Sequence, residues 1–147
     1  MSGDRRGSPY IICDIDGTLL TKREDLREEK RNWYTPRLDD ELIVPVARVL
    51  EVLHPHHEII LVSGRKEKFR EVTLRTLERY KFTAFDALCM RASNDNRKDE
   101  KVKLEILKRD LPKRGILFAI DDRPRLVRMW RNLGIFTFDV NARNEEF

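Results

Sequence analysis

Little in this chain is built for an oxidising or a membrane setting. It has only two cysteines, Cys13 and Cys89. Each sits inside an apolar run, so no disulfide framework is expected and a reducing compartment such as the cytoplasm is. No apolar stretch approaches the roughly 20 residues that cross a bilayer. Residues 1–9 lack the apolar core of a signal peptide, and residues 1–8 are expected to be a disordered lead-in. The phosphate-cradling pattern Gly-x-x-x-x-Gly-Lys-Ser/Thr is absent, which excludes a P-loop kinase in this stretch. Internal repeats and low-complexity tracts are absent too. The histidine group His54-Pro55-His56-His57 has no nearby cysteine or carboxylate to complete a metal set, so it reads as a helix end.

What is present bounds the rest. A length of 147 residues with 40% apolar content suits one domain over residues 1–147 with one sizeable core. Charged residues make up 38% and the net charge is +4, a mild lean toward anionic partners.

The organising stretch is Tyr10-Ile-Ile-Cys-Asp-Ile-Asp-Gly-Thr18. Its apolar run is too short for a helix and reads as a strand buried on both faces. Asp14 and Asp16 follow at a spacing that puts their side chains on one side, toward the crevice beyond the strand's carboxyl edge. A surface turn, with Asp-Gly at the bend and threonine as a cap, is the bland alternative. A second apolar run, Ile116 to Ile120, also ends in paired acids, Asp121 and Asp122, and so argues against that alternative. Four carboxylates at two strand ends imply a divalent cation, and oxygen-only donors favour Mg²⁺ over zinc.

Along the chain, residues 19–38 form a charged insert over the site. Within Thr21 to Arg37 there are six basic and four acidic residues. Asp39 and Asp40 are expected to cap a helix with Leu42, Val46, Val49 and Leu53 inward. Glu58 to Val62 is a second strand, leading through Ser63-Gly64-Arg65 into a helix over Lys66–Tyr80 that buries Phe69, Val72, Thr76 and Tyr80. Ala87 to Met90 is a third strand. A helix over Lys98–Asp110 presents Val102, Ile106 and Leu107 inward and leads to the acid-ended strand. Pro124 opens a helix that runs to Asn132 and stops at Gly134, with Leu126, Trp130 and Leu133 on one side. Ile135 to Val140 is the last strand. This alternation predicts an α/β fold, three α/β/α layers around a central parallel sheet in the Rossmann-like manner.

Further residues suit phosphate. Ser63, read at a strand-to-helix junction, can bring its hydroxyl and the amides of Gly64 and Arg65 to phosphate oxygens. Arg65 adds a forked cation. An ordinary helix start explains Ser63-Gly64 equally well. On composition Lys98, Lys101, Lys103 and Lys108 are equal candidates for a site cation.

Asp-Ile-Asp-Gly-Thr at 14–18, Ser-Gly-Arg at 63–65, a helical lysine and apolar-Asp-Asp at 120–122 occur in the order of the four motifs of the haloacid dehalogenase superfamily. The chain resembles that superfamily, and within it the 3′-phosphatase domain of phage and bacterial polynucleotide kinase-phosphatases. Arg97-Lys-Asp-x-x-Val-Lys103 and Ile120-Asp-Asp-Arg-x-x-x-Val-x-Met-Trp-Arg-x-x-Gly134 carry the closer likeness.

The resemblance selects Lys103 among the lysines. It implies Asp14 as nucleophile forming an aspartyl phosphate, and Asp16 as general acid and then base. Mg²⁺ would be held by Asp14, the Asp16 carbonyl and Asp121 or Asp122. Ser63, Arg65 and Lys103 would assist, with Thr18, Gly64, Arg91, Asp99 and Arg123 around the substrate phosphate. Asp99 and Arg91 would orient Lys103 and that phosphate, and Arg23, Arg27 and Arg37 are candidates for one further contact.

Neither interval between motifs has room for a folded cap, so the insert after the first strand is expected to be minimal and the site open, which can admit a phosphate at the end of a polymer. Arg123, Arg125, Arg128 and Arg131 carry four positive charges with no acid among them, suited to a nucleic-acid backbone. A solvated face is the competing reading. Trp33 and Tyr34 are candidates to stack on a base or to anchor the insert. The expected function is Mg²⁺-dependent removal of 3′-phosphates from DNA or RNA ends, with a kinase domain or partner elsewhere. A phosphatase of nucleotides or another small phosphomonoester is the alternative, and a non-catalytic end binder a third.

Overall fold

The run Tyr-Ile-Ile-Cys alternates between two cores, and the layers are built around it. The computed structural model describes Arg5, residues 7–22 and residues 36–141. In strand β1 (Tyr10–Cys13) every side chain is buried. Ile11 and Cys13 join one apolar cluster, Tyr10 and Ile12 the other. A strand with no solvent face belongs in the middle of a parallel sheet. There β1 lies between β4 (Ile59–Lys66) and β6 (Ile116–Asp121), with β5 (Ala87–Arg91) and β7 (Thr137–Asp139) outside them in the order β5-β4-β1-β6-β7. All four pairings are parallel.

Helices α1 (Val44–Leu53) and α2 (Arg70–Arg79) cover one face through Val46, Ala47, Leu50 and Leu77. Helices α3 (Asp99–Arg109) and α4 (Pro124–Asn132) cover the other through Val102, Ile106, Leu126 and Trp130. The predicted three-layer α/β/α fold is therefore observed. A small antiparallel pair, β2 (Leu20–Thr21) with β3 (Glu41–Leu42), stands beside it.

Several local expectations are corrected. Asp39 and Asp40 do not cap α1. The chain forms β3 first, Ile43 takes the cap position with no side-chain bond, and proline sits in the first turn. Val49 is half exposed, and Ala47 with Leu50 fills its expected place. In α2 the buried positions are Thr73, Thr76 and Leu77. Tyr80 and, beyond α4, Leu133 are exposed. Leu19 and Leu20 are core residues, so residues 19–38 are not wholly a charged surface insert. Within the expected lead-in, Arg5 is anchored: its guanidinium donates to both carboxylate oxygens of Asp86 and to the His54 carbonyl. Residues 23–35 of the insert, with Arg23, Arg27, Trp33 and Tyr34, lie outside the described residues.

Asp86 also accepts the Ile59 amide and contacts His54 Nε2. Burial pushes its carboxyl up, but Arg5, the Ile59 amide and His54 together outweigh that and hold it below the usual carboxylate range. Contrary to the sequence reading, a carboxylate does stand beside the histidine group: the end of α1 is tied through His54 to Asp86, just before β5, and His57 Nδ1 meets the Pro9 carbonyl at 2.8 Å.

Candidate active site

Because β1 and β6 are hydrogen-bonded neighbours, with Cys13 beside Ile120, their acid-tipped ends meet. Just beyond β1 the chain folds back on itself, with the amides of Thr18, Leu19 and Leu20 donating to the Ile15 carbonyl. Gly17 makes this turn possible. It adopts φ +80°, and a Cβ there would lie 2.1 Å from Asp122 Oδ2, so glycine is needed for both the backbone and the space.

Asp14, Asp121 and Asp122 are all buried, and each offers an oxygen within 4.8 Å of the others. Lys103, on the inner face of α3 and 2% exposed, reaches between them. Its Nζ donates to Asp14 Oδ1 at 2.7 Å and to Asp121 Oδ2 at 3.2 Å. Thr18 Oγ1 lies 3.0 Å from Asp14 Oδ2 and 3.2 Å from Asp122 Oδ1. A hydroxyl has one proton to give, so one of those carboxylates is left short of a donor.

Asp121 is different. Its Oδ1 accepts the amides of Asp122 and Arg123, and its Oδ2 accepts Lys103 and the indole N–H of Trp130.

The electrostatics follow from three acids and one cation, all buried. Burial first, and then the charge of Asp121, push the Asp14 carboxyl well above its ordinary value. Burial also raises Asp122, with Asp121 adding to it. Burial works against the Lys103 ammonium, but Asp121 and Asp14 overcome this and hold it charged far into the alkaline range. Two negative charges in excess of Lys103, borne by oxygen donors, fit a hard divalent cation such as Mg²⁺.

Asp16 takes another direction. Its side chain is 57% exposed, and the buried Arg65 grips both its oxygens through Nε at 3.0 Å and Nη2 at 2.7 Å. Arg65 Nη1 donates to Thr73 Oγ1, and Nη2 lies 3.5 Å from the buried Asp40. Asp40 is thus a neighbour of the site arginine. Its local bond, from the Arg37 amide, looks like an ordinary turn, and Arg65 lies 25 residues away, so no local sequence signal separates such an acid from a helix cap.

Ser63 is also not where a strand meets a helix. Strand β4 continues to Lys66, Ser63 is fully buried, and its Oγ already accepts the Arg65 amide at 3.0 Å. That amide therefore does not form an anion-binding helix start.

The remaining predicted residues form a strut beside the carboxylates. Arg91 donates through Nε to the Gly64 carbonyl at 2.8 Å and through Nη2 to Asp99. Asp99 accepts Arg123 Nη1 at 2.8 Å on its other oxygen. A Cβ at Gly64 would come within 2.6 Å of Asp99 Oδ1. Asp99 thus ties Arg91 to Arg123, and it favours the Lys103 charge at a distance with no hydrogen bond between the two among the described contacts. Arg125 and Arg128 are exposed on α4, whereas Arg131 donates to the Thr137 carbonyl. Arg37 pairs with Asp39 at 2.8 Å.

Comparison with known proteins agrees with this geometry. Residues 8–145 match the family described as the polynucleotide kinase PNKP phosphatase domain. A protein of Autographa californica nuclear polyhedrosis virus, named as a bifunctional polynucleotide kinase/RNA ligase, is 33% identical over 143 residues, covering 93% of this chain and 20% of its own length. A solved structure of a Pnkp1/Rnl/Hen1 complex contains a chain that is 35% identical with a TM-score of 0.80, over 95% of this chain and 49% of that one. A hydrolase from Streptococcus pneumoniae TIGR4, 18% identical with a TM-score of 0.55 over 91% of this chain and 95% of its own, shares the fold. The chain spans a fifth to a half of the length of the first two relatives.

Proposed function

We propose, given that this chain belongs to the family of PNKP phosphatase domains within the haloacid dehalogenase superfamily, that this phosphatase removes 3′-phosphates from DNA or RNA ends. The observation that carries the proposal is the Lys103 bridge. Of the lysines on α3, the one selected by the resemblance is the one that joins the Asp14 end of β1 to the Asp121 end of β6.

In the proposed reaction a carboxylate oxygen of Asp14 attacks phosphorus. The bond from phosphorus to the sugar 3′-oxygen breaks, and Asp16 protonates that oxygen as it leaves. Asp16, the exposed acid of the pair, then takes a proton from a water that attacks the aspartyl phosphate. The P–O bond to Asp14 breaks, releasing inorganic phosphate and the free carboxylate. Lys103 keeps Asp14 aligned throughout. Arg65, which holds Asp16, and Arg123, which holds Asp99, would receive phosphate oxygens in this reading.

We assign Mg²⁺ to Asp14, Asp122 and the Asp16 carbonyl, with Asp122 preferred over Asp121 because Asp121 already accepts four donors. When bound, the ion supplies charge neutralisation between phosphate and carboxylates.

The nucleic-acid substrate is supported by the names of the relatives, by Arg125 and Arg128 on the open face of α4, and by the minimal insert. We read the chain as one phosphatase domain that works beside kinase or ligase functions in the cytoplasm. The two free cysteines fit that compartment.

Incubation with Mg²⁺ and either a 3′-phosphorylated oligonucleotide or a 3′-mononucleotide tests the proposal. Phosphate release from the oligonucleotide, lost in Asp14→Asn, is the expected result. Release from the mononucleotide alone would assign a small-molecule phosphatase in its place.

A further inference from the structure

Trp130 reads in the sequence as an ordinary core residue of α4, and its ring is indeed 1% exposed among Tyr10, Val102, Ile106 and Leu126. A buried indole must place its N–H on some acceptor. Apolar packing alone would be served by phenylalanine or leucine. The acceptor here is not a backbone carbonyl but Asp121 Oδ2, at 3.2 Å. That same oxygen receives Lys103, which also holds Asp14 Oδ1 at 2.7 Å.

We propose that Trp130 is a positioning residue: its indole N–H fixes Asp121 Oδ2 so that Lys103 stays shared between Asp121 and Asp14. The geometry carries this. The Asp122 and Arg123 amides hold Oδ1, which anchors one oxygen but leaves the carboxylate free to swivel about it. Trp130 supplies the second fixed point from a different element. Without it Asp121 has only Lys103 on Oδ2, and Lys103 is drawn toward Asp121 and off Asp14. Outer hydrogen bonds that orient the ligand groups of a metal site are worth about 10- to 100-fold in metal affinity or activity, and the same scale is taken here for a partner that orients Asp121, and through it Lys103, beside Asp14. The neutral indole changes no charge in the site, so its loss acts through alignment alone. The role of Lys103 on Asp14 rests on the phosphatase reading above. The hydrogen bond to Asp121 does not.

Two measurements test it. The first needs no turnover. The chain has two tryptophans, Trp33 and Trp130, and Trp33→Phe assigns the two indole N–H resonances by NMR. The Trp130 resonance is expected downfield and slow to exchange with solvent, and it is expected to move in Asp121→Asn. Fast exchange, or no movement in Asp121→Asn, overturns the proposal.

The second is steady-state kinetics of Trp130→Phe, beside a protein carrying 3-benzothienylalanine at 130, which keeps the bicyclic ring and replaces N–H by sulfur. The expected result is a fall in kcat of about 10- to 100-fold in both, with KM within threefold of the parent and the Tm of the benzothienyl protein unchanged. A benzothienyl protein with parental kcat overturns the positioning role alone. A parent that hydrolyses no phosphomonoester overturns the phosphatase reading, and the kinetic role of Trp130 with it.

Discussion

Replacing Lys103 by methionine removes the cation that, among the described residues, touches both Asp14 and Asp121, while keeping a side chain of similar length. At an effective dielectric of 20, the contacts at 2.7 and 3.2 Å correspond to gross attractions of about 6 and about 5 kcal/mol. Most of that is offset by the desolvation of the ammonium, and breaking a buried pair costs a net of about 3–5 kcal/mol.

The stranded acids have a way out, because Asp14 can take up a proton. Burial and Asp121 already push it in that direction, which puts the stability loss at the lower end, about 3 kcal/mol. For a chain of this size that is a fall in Tm of roughly 6–12 °C. Activity suffers more, since a protonated Asp14 is not a nucleophile. If the lost contact of about 3 kcal/mol is felt at Asp14 in the transition state, kcat falls by about 10²-fold.

Lys101 is exposed on the opposite face of α3, so Lys101→Met is the internal control and is expected to stay within about 0.5 kcal/mol of the parent. Thermal denaturation and phosphate release, measured on both variants, give the comparison. A Lys103→Met protein with more than a tenth of parental kcat, or a Lys101→Met protein equally impaired, would refute the reasoning.

Three other outcomes are expected. Gly17→Ala forces a Cβ onto Asp122 and strains the backbone at φ +80°. About 1–2 kcal/mol of stability and, with Asp122 displaced, about 100-fold of kcat should be lost in melting and kinetic assays; parental kcat would contradict this. Asp14 and Asp122 have raised carboxyl pKa values in the metal-free protein. They therefore hold protons above the ordinary carboxylate range, and Mg²⁺ has to displace them. The gain in Tm on adding Mg²⁺ should grow as pH rises from about 4 toward 8, and calorimetry in two buffers should show proton release; a gain that is flat or shrinks with pH would count against the assignment. Arg125→Gln with Arg128→Gln should raise KM for a 3′-phosphorylated oligonucleotide and flatten its salt dependence by up to about two counterions, with little change for a mononucleotide. Equal effects on both substrates would remove α4 from the nucleic-acid path.

The fold was legible where a single residue pattern decides a single element. Tyr10 to Cys13 can only be an interior strand, and Pro124 can only open a helix. The acid pairs at 14–16 and 121–122 announced a site because each ends an apolar run abruptly. What brings them together is the pairing of β1 with β6, a contact across more than a hundred residues.

Other features were hidden for the same reason. Ser63 looked like the end of a strand because Gly64 follows it, yet pairing with β5 carries β4 on to Lys66. Asp40 looked like a cap because a helix follows, but its position is set by Arg65 and the Arg37 amide. Trp130 satisfied the helical period, and periodicity reports a ring's burial without saying where its N–H points. The need of any buried indole for an acceptor was the signal that could have found it. Among the four lysines considered, composition does not separate Lys103 from the others; the resemblance selects it, and its contacts with Asp14 and Asp121 agree.

The most direct test is a crystal structure with Mg²⁺ and trifluoroberyllate, a mimic of a phosphoryl group on a carboxylate. Beryllium bonded to an Asp14 oxygen, with Lys103 still on Asp14 and the metal on Asp122, is the expected result. A mimic bound to any other residue, or Asp14 left untouched while the metal sits elsewhere, would contradict the shared-cation site on which the whole assignment stands.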